Sequence, residues 1–95
     1  MADWPRDYHP VTADNDLDTS TVVELYQHTV ATTLSLAEWC GGEVAHINGG
    51  PVVIVGGTRR AADRLCGRGD YAVRDGDRWW SETADGLYQR FRPAT

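Results

Sequence analysis

From residue 41 onward, glycine-centred turn signals interrupt this chain so often that only short strands and brief helices fit between them. They fall at Gly41-Gly42, at Asn48-Gly49-Gly50, at Asp75-Gly76-Asp77 and across Thr83 to Gly86. Asn-Gly and Asp-Gly pairs accept the positive φ of tight hairpin turns, and the runs beside them are rich in β-branched and aromatic residues. Glu43 to Ile47 and Val52 to Val55 therefore read as one hairpin, and Tyr71 to Arg74 with Arg78 to Ser81 as another. Thr83 to Gly86 reads as a turn, and Leu87 to Arg92 alternates like a closing strand before Pro93. Thr58 to Leu65 stays open between a third strand and one or two helical turns, because Ala61, Ala62 and Leu65 fit a helix face.

Between Thr21 and Cys40, pattern and propensity disagree. Thr21 and Glu24 have the spacing of a capping box, and Val22, Tyr26, Val30 and Leu34 form an apolar stripe, which favours one helix. The run from Thr21 to Tyr26 is nevertheless full of side chains that lose χ1 freedom in a helix and fit a pleated sheet.

Two groups of motifs bear on that conflict. One runs from Tyr26-Gln27-His28-Thr29 through Ala37-Glu38-Trp39-Cys40-Gly41-Gly42; the other is Gly69-Asp70-Tyr71 followed by an apolar pair, Arg74, the Gly76 turn and Trp79-Trp80. In order and spacing they resemble a small phage and prophage family of the PGDYG type, over residues 21–93. Arg68 and Ala72 stand where that motif has Pro and its last Gly, and the Tyr-Pro-Cys usual after the aromatic pair is absent. The family brings no activity with it. The resemblance implies a strand from about Thr21 to His28, then a helix capped by Thr29 that runs to Glu38 or Cys40, with Trp39 on the face turned to the sheet. Gly41-Gly42 would stop that helix by supplying a left-handed residue. It also implies extended chain over 58–65. The expected fold is α+β: a small, mostly antiparallel sheet of five to seven short strands with one packed helix, residues 21–95 forming a single domain.

Charge is distributed unevenly. Residues 1–20 hold five Asp against Arg6, and residues 58–74 hold five Arg against Asp63 and Asp70. The acidic start has the composition of a mobile tail, so residues 1 to about 18 are expected to be dispensable for folding. A net charge of −5 argues against broad nucleic-acid binding, which needs a positive surface to release counterions. No run of apolar residues is long enough for a membrane span, and the N-terminus lacks the basic-then-apolar pattern of a secretion signal, so the host-cell cytoplasm is the expected location. At 95 residues the chain makes one modest domain.

Chemistry-bearing constellations are sparse. His9, His28 and His46 share no catalytic or metal-ligand spacing, and Cys40 and Cys66 read as reduced thiols rather than a staple or a zinc site. Ser20, Ser35 and Ser81 have no identifiable base, so no enzyme, metal or cofactor is expected. Gly56-Gly57-Thr58-Arg59-Arg60 lacks the ending of a P-loop and reads as a plain loop. Arg68-Gly69-Asp70 reads as a turn rather than an adhesion signal. The exception is Trp79-Trp80: neighbours on a strand face opposite ways, so one indole can anchor the core while the other is left for contact. With Arg59, Arg60, Arg64 and Arg74, the pair is the candidate binding surface for a host protein or a small anionic ligand such as a nucleotide, because guanidinium pairs with phosphate and indole stacks on a base. The expected function is a non-enzymatic phage accessory protein that binds and blocks a host component, either a defence protein or a nucleotide signal. The alternative is a structural or self-assembling phage component, with a homo-oligomer contact through the aromatic residues.

Overall fold

The computed structural model describes residues 4–57 and 64–94. The described elements are β1 (Arg6–Pro10), β2 (Val23–Gln27), α1 (Thr33–Cys40), β3 (Glu43–Ile47), β4 (Gly50–Ile54), β5 (Leu65–Cys66), β6 (Tyr71–Asp75), β7 (Arg78–Glu82), α2 (Ala84–Arg90) and β8 (Phe91–Pro93). Every strand pair is antiparallel, and the fold is α+β. The strands divide between a five-stranded sheet, ordered β7-β6-β2-β1-β8, and a three-stranded sheet, ordered β3-β4-β5. Among the described residues no helix is long and apolar enough to cross a membrane.

Gly41 and Gly42 separate the two sheets. Gly41 takes the left-handed conformation (φ 63°) that ends α1, and the Gly42 amide donates to Ala37 O at 2.9 Å. A Cβ on Gly42 would lie 2.1 Å from Ile54 O, so only glycine allows the helix end to meet β4 so closely. The β3–β4 hairpin then turns at Asn48 and Gly49, with φ of 55° and 82°, the doubly positive pair of a type I′ turn. Gly50 begins the return strand opposite Ile47. Residues 58–63, whose conformation the sequence left open, lie outside the described residues, and Leu65 with Cys66 adds a short strand to β4.

Three expectations need correction. The N-terminal segment is not a tail: β1 lies inside the large sheet, paired with β2 on one side and β8 on the other, and Tyr8 is buried. Counting charge over the whole segment hides the alternation along a strand, which turns Asp7 out and Tyr8 in. Beyond β1, the loop is organised by Asp18, whose carboxylate accepts from the Ser20 and Thr21 hydroxyls; these bonds hold it below the usual carboxylate range. Second, α1 begins at Thr33 rather than after Thr29. Thr32 occupies the capping position, but its hydroxyl donates back to Gln27 O at 2.7 Å, tying the helix start to β2. Third, residues 84–90 form a helix instead of a turn and strand. Thr83 accepts the Gly86 amide at 3.2 Å, Asp85 sits in the first turn and Arg90 in the last, as the helix dipole favours. Leu87 and Phe91 both reach the core with helical spacing, which a strand reading also accommodates.

The large sheet buries both faces. On one, Tyr26 and Ala72 pack with Leu36, Cys40, Val53 and Cys66 of α1 and the small sheet; on the other, Val23, Leu25 and Val73 pack with Leu87 and Phe91. Trp4 touches both clusters, stacked on Tyr26 at 6.2 Å and edge-on to Tyr71 at 5.9 Å. A buried polar node joins the two sheets. His28 is fully buried; its Nδ1 bonds Cys66 O and its Nε2 bonds Thr33 Oγ1, each at 2.8 Å. A carbonyl only accepts, so Nδ1 carries a proton. The Arg68-Gly69-Asp70 turn sits against the same histidine: the Gly69 amide donates to His28 O at 2.8 Å and the His28 amide to Asp70 O at 2.9 Å.

Deleting residues 1–10 should therefore abolish folding rather than leave it intact, since it removes Trp4 and β1 and cuts β8 from its only strand neighbour among the described residues. A small domain has only about 5–15 kcal/mol to lose. A cooperative thermal transition retained within a few degrees of the full chain, followed by circular dichroism, would show that β1 is dispensable after all.

Candidate functional site

The β6–β7 hairpin builds the site. Asp75 and Arg78 close a two-residue loop in which Gly76 has a φ of 60°. From there the side chains of β7 alternate: Arg78, Trp80 and Glu82 share the face that carries α2, and Trp79 and Ser81 share the face that carries the small sheet.

On the small-sheet face, Glu24, Arg74 and Trp79 form a row across β2, β6 and β7. Arg74 pairs with Glu24 at 3.3 Å and lies over the Trp79 ring, 5.5 Å from its centroid. Trp79 also meets Trp39 edge-on at 5.0 Å, and Trp39 in turn contacts Tyr26 at 5.2 Å. On the other face, Trp80 Nε1 donates to Glu82 Oε1 at 3.1 Å, and Arg90 of α2 binds the same oxygen. The Arg78 guanidinium stands 5.4 Å from the Trp80 centroid. Both indoles are half-buried, each against a different core.

A groove of about 620 Å³, within the size range of ligand pockets, takes in all of β7 and reaches across the sheet beside α2 to Val23 of β2, Pro10 of β1 and Phe91 of β8. Among the described residues, Arg64, Arg78 and Arg90 line it together with Asp75, Asp77 and Glu82, so their charges balance. Gly56 makes room for Arg64: a Cβ there would lie 2.6 Å from the Arg64 Nη1 atom. The backbone contributes as well. Antiparallel strands direct their N–H and C=O groups alternately to either side, and the bond from the His28 amide to Asp70 O sets that phase across β6. Arg78, Trp80 and Glu82 therefore bond to β6, and Trp79 and Ser81 present theirs outward. No strand pairs with that outer edge among the described residues.

Of the residues singled out from sequence, Arg64, Trp79 and Trp80 meet at the groove. Arg74 is held by Glu24 beside it, and Arg59 and Arg60 lie outside the described residues. Sequence reasoning missed Arg78 and Glu82, although strand alternation places them with Trp80; Arg90 was hidden by reading its helix as a strand. The histidines do not converge: His9 Nδ1 bonds Thr21 O at 2.8 Å, His28 is the buried node and His46 is exposed. Cys40 and Cys66 are free and buried.

No protein-family model matches the chain, and neither a curated protein nor a solved structure matches it.

Burial pushes the Cys66 thiol up to about 12, outweighing its bond with Ser81. The thiolate is the reactive form, so Cys66 should resist alkylation at pH 8 in the folded protein and react fully once denaturant is added. Stoichiometric labelling of Cys66 under native conditions, located by peptide mass mapping, would show that β5 opens readily.

Proposed function

We propose that this protein works by contact rather than by catalysis, and that the outer edge of β7 with its groove is the contact surface. The observation that carries this reading is the pair of outward-directed backbone positions, Trp79 and Ser81, set in a groove with a half-buried indole on each sheet face. Such an edge accepts an added extended strand: main-chain bonds supply affinity, and side chains alternating to either face supply specificity. In the setting that the PGDYG-type resemblance implies, the protein is a phage accessory factor in the host cytoplasm and its target is a host protein that it blocks.

The charge of the groove favours a polypeptide over a nucleotide. Among the described residues three guanidiniums and three carboxylates line it, and Arg90 already engages Glu82, so these residues leave little positive potential for phosphate. A second reading, self-assembly, is favoured by the order of residues within β7, a cation at one end and an anion at the other.

Calorimetric titration with a panel of cyclic and linear nucleotides separates the chemistries. The contact reading expects no saturable heat with wild type. Nucleotide binding that weakens about tenfold or more in Arg64→Ala or Arg78→Ala, with the melting temperature unchanged, would replace the strand-accepting edge with an anion site.

A further inference from the structure

We propose that the outer edge of β7 is the seam of a homodimer, in which two β7 strands pair antiparallel about a twofold axis with Trp80 facing Trp80 of the second copy. This rests on the reading of that edge as a contact surface and names its occupant.

The backbone sets the register. Centred on Trp80, the arrangement puts Trp79 of one copy opposite Ser81 of the other, and both residues direct their N–H and C=O groups outward. Each such pair can then exchange N–H···O=C bonds, as the closely bonded pairs of an antiparallel ladder do. Moving the centre to Trp79 would set Ser81 against Asp77 in the turn, and moving it to Ser81 would set Trp79 against Thr83, outside the strand. Only the Trp80 centre pairs the two outward residues of β7 with each other.

The side chains match the same register. β7 reads Arg78-Trp79-Trp80-Ser81-Glu82, a cation at one end and an anion at the other on one face. The twofold axis brings Arg78 of each copy opposite Glu82 of the other. Arg78 is exposed, and Glu82 uses Oε1 for Trp80 and Arg90, whereas its Oε2 accepts no bond among the described residues. Trp80 faces its twin as a pair without mutual backbone bonds, the position at which cross-strand side chains approach most closely. A foreign strand would gain the same backbone bonds but would need its own charges at both ends; this chain carries its own complement. The contact is isologous and closes on itself, and it covers the longer exposed edge of the large sheet.

Sedimentation velocity and native mass spectrometry of the full chain over a dilution series test the seam. Wild type should form a dimer that dissociates on dilution. Arg78→Glu and Glu82→Arg should each raise the dissociation constant about tenfold or more, because like charges then face each other at both ends. An equimolar mixture of these two variants should regain a dimer, now a heterodimer, since every Glu again meets an Arg. Ser81→Pro removes an outward N–H without touching the β6 ladder, so it should weaken the dimer with the circular dichroism spectrum preserved. A monomeric wild type, or folded single variants whose mixture stays monomeric, overturns the dimer. Amide hydrogen exchange then distinguishes the dimer seam from a surface that binds another partner. In a monomer, fast exchange at Trp79 and Ser81 that slows on addition of a foreign partner sinks the dimer and spares the contact surface. Slow exchange at both amides in the isolated monomer sinks both.

Discussion

The arrangement of the two sheets depends on one buried side chain. His28 leaves the end of β2, places one ring nitrogen on the Cys66 carbonyl of β5 and the other on the Thr33 hydroxyl at the start of α1. A buried imidazole without such partners would lose its hydration with nothing in return, so the geometry that satisfies it is the one in which the small sheet, the helix start and the Asp70 turn are all in place. Specificity is the gain: apolar packing alone would tolerate sliding of the small sheet across Tyr26 and Ala72, whereas the ring nitrogens tolerate very little.

Packing does the rest by using both faces of β2 and β6. Tyr26 and Ala72 face one core, Leu25 and Val73 the other, so there is no solvent side at the centre of the sheet. A domain of this size gains from such an arrangement, because a single one-sided core buries too little apolar surface. Trp4 fits that economy by lying against residues of both clusters, and Arg6 is drawn over its ring at 4.3 Å.

What could be read from the sequence followed from local turn chemistry. The Asn48-Gly49 hairpin, the Gly41-Gly42 helix stop and the Gly76 turn demand residue types that few other conformations need, so they announced β3, β4, β6, β7 and the end of α1. Tertiary partners decided the remainder. β1 carries Asp7 and Arg6 and is a strand because β2 and β8 flank it, which composition could not show. Leu87 and Phe91 suit a helix or a strand equally, and the Thr83 cap decided between them. At the site, the opposed faces of Trp79 and Trp80 were legible from strand periodicity, whereas the neutralisation of Arg74 by Glu24 required a register between strands about fifty residues apart in sequence.

The pairing of β1 with β8 has a bearing on how the protein is made. The Ala94 amide donates to Asp7 O at 3.0 Å, so the earliest strand is sealed on its outer side by the latest one. Until β8 docks, Asp7 and His9 keep their main-chain groups unpaired on that side, and the unfinished sheet offers an open template to other chains. Closing so long a loop is slow compared with forming either hairpin. The interval before β8 docks is thus the period in which this sheet is most exposed to misassembly, and chaperone capture would matter most then.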